Sequence, residues 1–137
     1  MAINGGFSMI FLDTGFIYAL LRPSEFHHDA AANIYKNYWD IDSIKVINSV
    51  VLSEILNRSV KLNVFAEEIY DSLVDEVMIV YLSENDFKHA LELNKYFGNS
   101  INYSDCTVLK TMMDLGINKI VSFDNDFDKV NWVQRIH

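Results

Sequence analysis

The chain is short of cysteine: Cys106 stands alone, so no internal disulfide can form and a reducing cytoplasm is the expected setting. It has one proline, and no repeat, low-complexity tract or linker divides its 137 residues, so a single domain is expected. No apolar run approaches the roughly 18 residues of a membrane span. The opening, Met1-Ala2-Ile3-Asn4-Gly5-Gly6-Phe7-Ser8, lacks the charged start and apolar stretch of a signal peptide. Residues 1–8 are read as a flexible lead or expression remnant, and 9–137 as the domain. Basic residues are scarce too, with 11 Lys and Arg against 19 Asp and Glu and a formal net charge of −8. That balance argues against a broad basic surface gripping nucleic acid. It fits carboxylates gathered in one place, or a basic partner, without choosing between them. What is plentiful is apolar material: half of the residues are hydrophobic and 13% aromatic, enough for a core and unlike a disordered chain.

Short apolar runs alternate with helical patterns. Met9–Leu12, Ile44–Ile47, Val77–Leu82 and Lys119–Phe123 read as strands, the first as one buried on both faces. Between them, Phe16–Leu21 reads as a helix stopped by Pro23. Ser24 is placed as the cap of a helix carrying Phe26, Ala30, Ala31, Ile34, Tyr35 and Tyr38. Ser49 is placed as the cap of a helix from Val50 to about Leu62, and Asn63 opens one through Asp75. Ser83, Glu84 and Asp86 start a helix ended by Gly98, Asn102–Asp105 opens another running to Gly116, and Trp132–Ile136 supplies a final edge strand. The alternation predicts an α/β fold in three layers, with a mainly parallel sheet between helices. In such sheets, ligands sit outside the carboxyl ends of the strands.

Asp13 follows the first strand and Asp124 the fourth, Glu54 lies one turn into an otherwise apolar helix, and Asp105 begins the helix leading to the fourth strand. If the topology holds, these acids converge. Converging carboxylates repel unless a cation neutralises them, and hard oxygen donors without paired His or Cys favour Mg²⁺ or Mn²⁺ over Zn²⁺. Such a site suits attack of an activated water on a phosphodiester. Each residue also has a purely structural reading. Asp13 serves equally as a helix cap, Glu54 as a partner of Arg58, Asn102 with Asp105 as a capping pair, Asp124 as an Asx turn, and Asp126 and Asp128 as a solvated loop.

The local contexts resemble the PIN-domain family, from Met9 to about Ile136. Ile10-Phe11-Leu12-Asp13-Thr14-Gly15 is similar to its opening strand and first acid, and Ser49-Val50-Val51-Leu52-Ser53-Glu54-Ile55 to its second motif. Tyr103-Ser104-Asp105-Cys106-Thr107-Val108 is similar to the third, and Ile120-Val121-Ser122-Phe123-Asp124-Asn125-Asp126-Phe127 to the last. His27-His28-Asp29-Ala30 resembles the early helical region of VapC-type members. The resemblance implies a metal site and catalytic centre of Asp13, Glu54, Asp105 and Asp124, with Asp126 as a further contributor and Thr14 and Ser122 orienting the acids. It implies Mg²⁺- or Mn²⁺-dependent endonucleolytic cleavage of RNA without a covalent intermediate, in the toxin of a VapBC-type toxin–antitoxin pair. It further implies a homodimer and an antitoxin whose C-terminal segment covers the acidic groove. The polar Asn102-Tyr103-Ser104 approach to Asp105 departs from the more apolar approach of many relatives, which bears on substrate choice.

Other features carry plainer readings. His27 and His28, being adjacent, point apart and are expected at a helix surface or core edge. Cys106 is expected as a buried small hydrophobe, and the Phe65, Ile69, Leu73 stripe mostly as core. Arg58 and Lys61, one or two turns beyond Glu54, are candidates for an RNA phosphate, with plain solvent exposure as the simpler alternative. A rival function is a PIN-fold interaction or RNA-binding module without catalysis, against which the four retained acids argue. A phosphatase of the haloacid dehalogenase type requires a second Asp two residues after the first, where Gly15 stands.

Overall fold

The computed structural model describes residues 8–39 and 43–137. Of the opening segment, residues 1–7 lie outside the described residues, and Ser8 is the first residue of β1. Among the described residues, five strands form one all-parallel sheet in the order β3-β2-β1-β4-β5: β1 (Ser8–Leu12), β2 (Ser43–Asn48), β3 (Met78–Val80), β4 (Lys119–Val121) and β5 (Gln134–Ile136). Helices cover both faces, as a parallel sheet of apolar runs requires, giving the three-layer architecture expected from the sequence. Phe11, Val46, Ile47 and Ile120 are fully buried at its centre.

The helices are α1 (Thr14–Leu21), α2 (His28–Tyr38), α3 (Ser49–Leu56), α4 (Ser59–Leu62), α5 (Ala66–Glu76), α6 (Glu84–Tyr96) and α7 (Tyr103–Leu115). α1 packs on α2 and α3, α3 on α5, and α6 on α7. Several local expectations shift. Ser24 lies in a turn, and α2 begins at His28 with His27 before it and no side-chain cap. At the next helix the cap is Asn48 rather than Ser49: its Oδ1 accepts the N–H groups of Val50 and Val51 at 3.1 and 3.0 Å. The amide of Asn48 also reaches Thr111 Oγ1 at 3.1 Å, so a fully buried polar side chain is satisfied and ties α3 to α7. Ser49 Oγ instead accepts from the Leu82 N–H, 3.0 Å away.

The single helix expected over 50–62 is broken at Asn57 and Arg58 into α3 and α4. Asn63, expected to open the next helix, closes α4 in the left-handed conformation at φ 58°, a region asparagine tolerates. α5 starts after Phe65, whose N–H donates to the Glu68 carboxylate at 2.8 Å. Ile69 and Leu73 of the expected stripe are buried, whereas Phe65 is exposed. Ser83, Asn102 and Gly116 cap as the sequence suggests. No helix among the described residues is long and apolar enough to cross a membrane.

Strand order places the chemistry. The chain runs outward from β1 through β2 to β3, then crosses back to place β4 on the other side of β1. The reversal opens a crevice at the carboxyl ends of β1 and β4. Asp13 follows β1 there, and Ser122 to Asp124 follow β4.

Candidate metal centre

Asp13 is held from both sides. As the N-cap of α1 it accepts the Thr14 N–H at 2.9 Å through Oδ1, while Oδ2 accepts the Ser122 hydroxyl at 2.7 Å. Ser122 Oγ in turn accepts the Asp124 N–H at 3.0 Å, so one buried hydroxyl fixes the acids ending two neighbouring strands. Thr14 donates its hydroxyl to Glu54 Oε1 at 2.6 Å, linking α1 to α3. Glu54 has no ion pair with Arg58 among the described residues; the Arg58 guanidinium lies over the Tyr18 ring, 4.4 Å from its centroid. Asp105 enters from the first turn of α7, its N–H bonded to the Asn102 side chain at 2.9 Å.

Asp105 is buried, and as a carboxylate its Oδ2 is a buried oxygen without a hydrogen-bond partner among the described residues. Burial, then the charges of Asp13 and Asp124, a hydrogen bond to Asp124 that only the protonated form can donate, and the charge of Glu54 push its carboxyl up to about 8. Burial also raises Asp13, opposed by the Ser122 and Thr14 hydrogen bonds and reinforced by Glu54 and Asp124. Asp13, Glu54, Asp105 and Asp124 line one cavity of about 550 Å³ together with Thr14, Asn57, Arg58, Lys61 and Phe123. A second grouping overlaps it: carboxylate oxygens of Asp105, Asp124 and Asp126 lie within 4.8 Å of one another. Asp126 does not line the cavity and pairs with Lys129 at 2.9 Å, which sets it apart from the other four. Asp128 turns away to Arg135, at 2.9 Å.

The capping readings and the convergent reading prove compatible. Asp13 caps α1, Asn102 caps α7 and Asp124 accepts the Asp126 N–H at 2.9 Å, yet all four acids share one cavity. The donor set fits a hard divalent cation. It consists of carboxylate oxygens, one of them buried with no other partner, and holds no Cys or His. Cys106 is fully buried, as expected of a small hydrophobe. Sequence reasoning assigned no role to Asn57 or Phe123. Asn57 reaches the cavity because α3 ends there, a break that periodicity did not reveal. Phe123 stands beside Asp124 in the last of the acid-bearing motifs, but only the fold turns it to the cavity.

The sequence matches the description of the PIN domain over residues 10–133. No curated protein matches the chain significantly by sequence. The fold is similar to that of VapC20 of Mycobacterium tuberculosis, described as a sarcin-ricin loop cleaving toxin, with a TM-score of 0.75 and 20% identity over 90% of this chain and 96% of that one. It is also similar to FitAcB of Neisseria gonorrhoeae (TM-score 0.70, 18% identity, 94% and 97% of the two chains). A third likeness is to VapBC-1 of nontypeable Haemophilus influenzae (TM-score 0.67, 15% identity, 93% and 96%). With the family pattern running through all four acid-bearing segments and a parallel five-stranded sheet beneath them, this chain belongs to the PIN domain family.

Proposed function

We propose that the chain is a metal-dependent endoribonuclease, the toxin of a VapBC-type toxin–antitoxin pair, acting in the cytoplasm as a homodimer restrained by a cognate antitoxin. The observation that carries the catalytic part is the buried, unpartnered Oδ2 of Asp105 amid three further carboxylates. Keeping such an oxygen ionised without a partner costs about 1–3 kcal/mol or more, which a purely structural site has no reason to invite. Membership of the PIN family supports the nuclease reading, and the solved complexes of VapBC-1 and other toxin–antitoxin pairs with this fold support the antitoxin.

Asp13, Glu54, Asp105 and Asp124 would hold Mg²⁺ or Mn²⁺, with Asp126 as a further contributor, its carboxylate being grouped within 4.8 Å with those of Asp105 and Asp124. The bound ion would neutralise the cluster, activate a water and stabilise charge developing on a phosphodiester during in-line attack. The chain's own part is positioning. Ser122 holds Asp13 and the backbone of Asp124, Thr14 holds Glu54, and Asn102 sets the first turn of α7, so the carboxylates are aimed before any ligand arrives. Arg58 and Lys61 stand on the cavity wall, where cations meet backbone phosphates.

The test is incubation of a total cellular RNA pool with Mg²⁺ or Mn²⁺, with and without chelator, beside Asp13→Asn. Discrete fragments that vanish with both chelator and substitution are expected, and their ends identify the target. A folded protein that binds neither ion removes the four-carboxylate site and leaves an interaction module.

A further inference from the structure

An aromatic column runs from the core to solvent beside the acidic cavity. Phe16, fully buried, lies against Phe123, with ring centroids 6.5 Å apart. Phe123 lines the cavity next to Asp124 and carries the His27 ring stacked on it, 4.4 Å away and within 9° of parallel. Phe26 then meets His27 edge to face at 4.8 Å and is 89% exposed. The turn presenting Phe26 is tied down on both sides. Glu25 N–H donates to Arg22 O at 2.9 Å, His28 N–H to Glu25 O at 3.0 Å, and the His28 ring nitrogen Nδ1 sits 2.7 Å from Ala19 O. The sequence pattern placed Phe26 within the helix that Ser24 was expected to cap; the structure holds it in the turn before that helix, in water. Exposing a phenylalanine forgoes about 2–3 kcal/mol of burial, and this one is part of a stack that reaches the cavity wall.

We propose that the step formed by Phe26, His27 and Phe123 takes an unpaired nucleobase of the RNA strand whose backbone lies in the acidic cavity. This rests on the nuclease reading and adds where on the chain a base of the bound strand is held. Bases within a duplex are stacked on their neighbours and offer no free face, whereas splayed bases of loops and single strands stack on aromatic side chains. Charge points the same way. In a chain of net charge −8, the cations lining the cavity among the described residues are Arg58 and Lys61, too few for binding to rest on counterion release. Stacking supplies affinity without charge.

The test is fluorescence polarisation with a short fluorescein-labelled RNA of randomised sequence, single-stranded or annealed to its complement. Ca²⁺ replaces Mg²⁺ so that the strand stays intact. Phe26→Ala, at an exposed position, is expected to weaken single-strand binding roughly 5- to 160-fold, the worth of about one stacked base. Phe26→Tyr is expected to keep it within about twofold, since the ring face remains. The logarithmic salt slope is expected to be no steeper than about −1.4, from two phosphate contacts. Unchanged single-strand affinity in Phe26→Ala, equal losses for duplex and single strand, or a wild-type protein that binds neither strand would each overturn the proposal. So would a Phe26→Ala protein that keeps RNA but loses its cognate antitoxin, because the step would then be a protein interface. The nuclease reading is judged separately by metal-dependent cleavage and Asp13→Asn: cleavage that persists beside unchanged Phe26→Ala affinity removes only the step.

Discussion

Replacing Asp105 with Asn should stabilise the metal-free protein while removing its response to metal. The wild-type carboxyl is buried among Asp13, Glu54 and Asp124, has an unpartnered oxygen and is pushed up to about 8. An unfolded aspartate titrates near 3.9, so at about pH 7 the metal-free fold must take up a proton that the unfolded chain does not hold, costing about 4 kcal/mol. Asn is already neutral and of nearly the same shape. The gain expected is therefore about 2–4 kcal/mol, allowing for an amide that fits less well than a carboxylic acid, or roughly 6–15 °C in Tm. Because the folded pKa lies above the unfolded one, this contribution favours folding below about pH 4 and is lost as pH rises toward about 8. The stability difference between variant and wild type should thus grow with pH, by up to about 1.4 kcal/mol per unit across that window. Denaturant titrations in chelator from about pH 5 to about pH 8 measure the difference directly. Saturating Mn²⁺ or Mg²⁺ should then raise the wild type and leave the variant unmoved, since binding to the native state alone stabilises it. A variant no more stable than wild type in chelator, or a difference flat with pH, would refute the account of this site as a cluster of mutually repelling carboxylates.

Thr14→Val keeps shape but removes the hydroxyl on Glu54, and should lower cleavage about 10- to 100-fold while leaving the far-ultraviolet circular dichroism spectrum unchanged. Asn48→Ala removes both the α3 cap and the buried amide contact with Thr111, and should cost about 2–3 kcal/mol by urea denaturation. Phe11→Ala opens a cavity under the central strand and should cost about 3–5 kcal/mol, enough to leave little folded protein at 37 °C by thermal melt.

Most of the elements are legible in the residues alone, because each is written in local chemistry. Apolar runs too short for helices mark the strands, and Ser83, Asn102 and Gly116 mark helix ends by hydrogen-bonding and backbone preferences that act within a turn. Local chemistry misplaces the ends that depend on competition between neighbours. Asn48 outcompetes Ser49 as a cap because Thr111 orients its amide, and Asn63 ends a helix rather than starting one because it takes the left-handed turn. The positions of the acids after strands and at helix starts were legible, but not their choice between capping and convergence. That the two coexist follows from long-range packing. Ser122 reaches Asp13 across 109 residues of chain and Thr14 reaches Glu54 across 40, contacts set by β4 pairing with β1 and α3 packing on α1. The unpartnered oxygen of Asp105 and the column from Phe16 to Phe26 are likewise products of long-range closure. Periodicity reports which face of an element is apolar, whereas a shared site depends on which elements end up side by side.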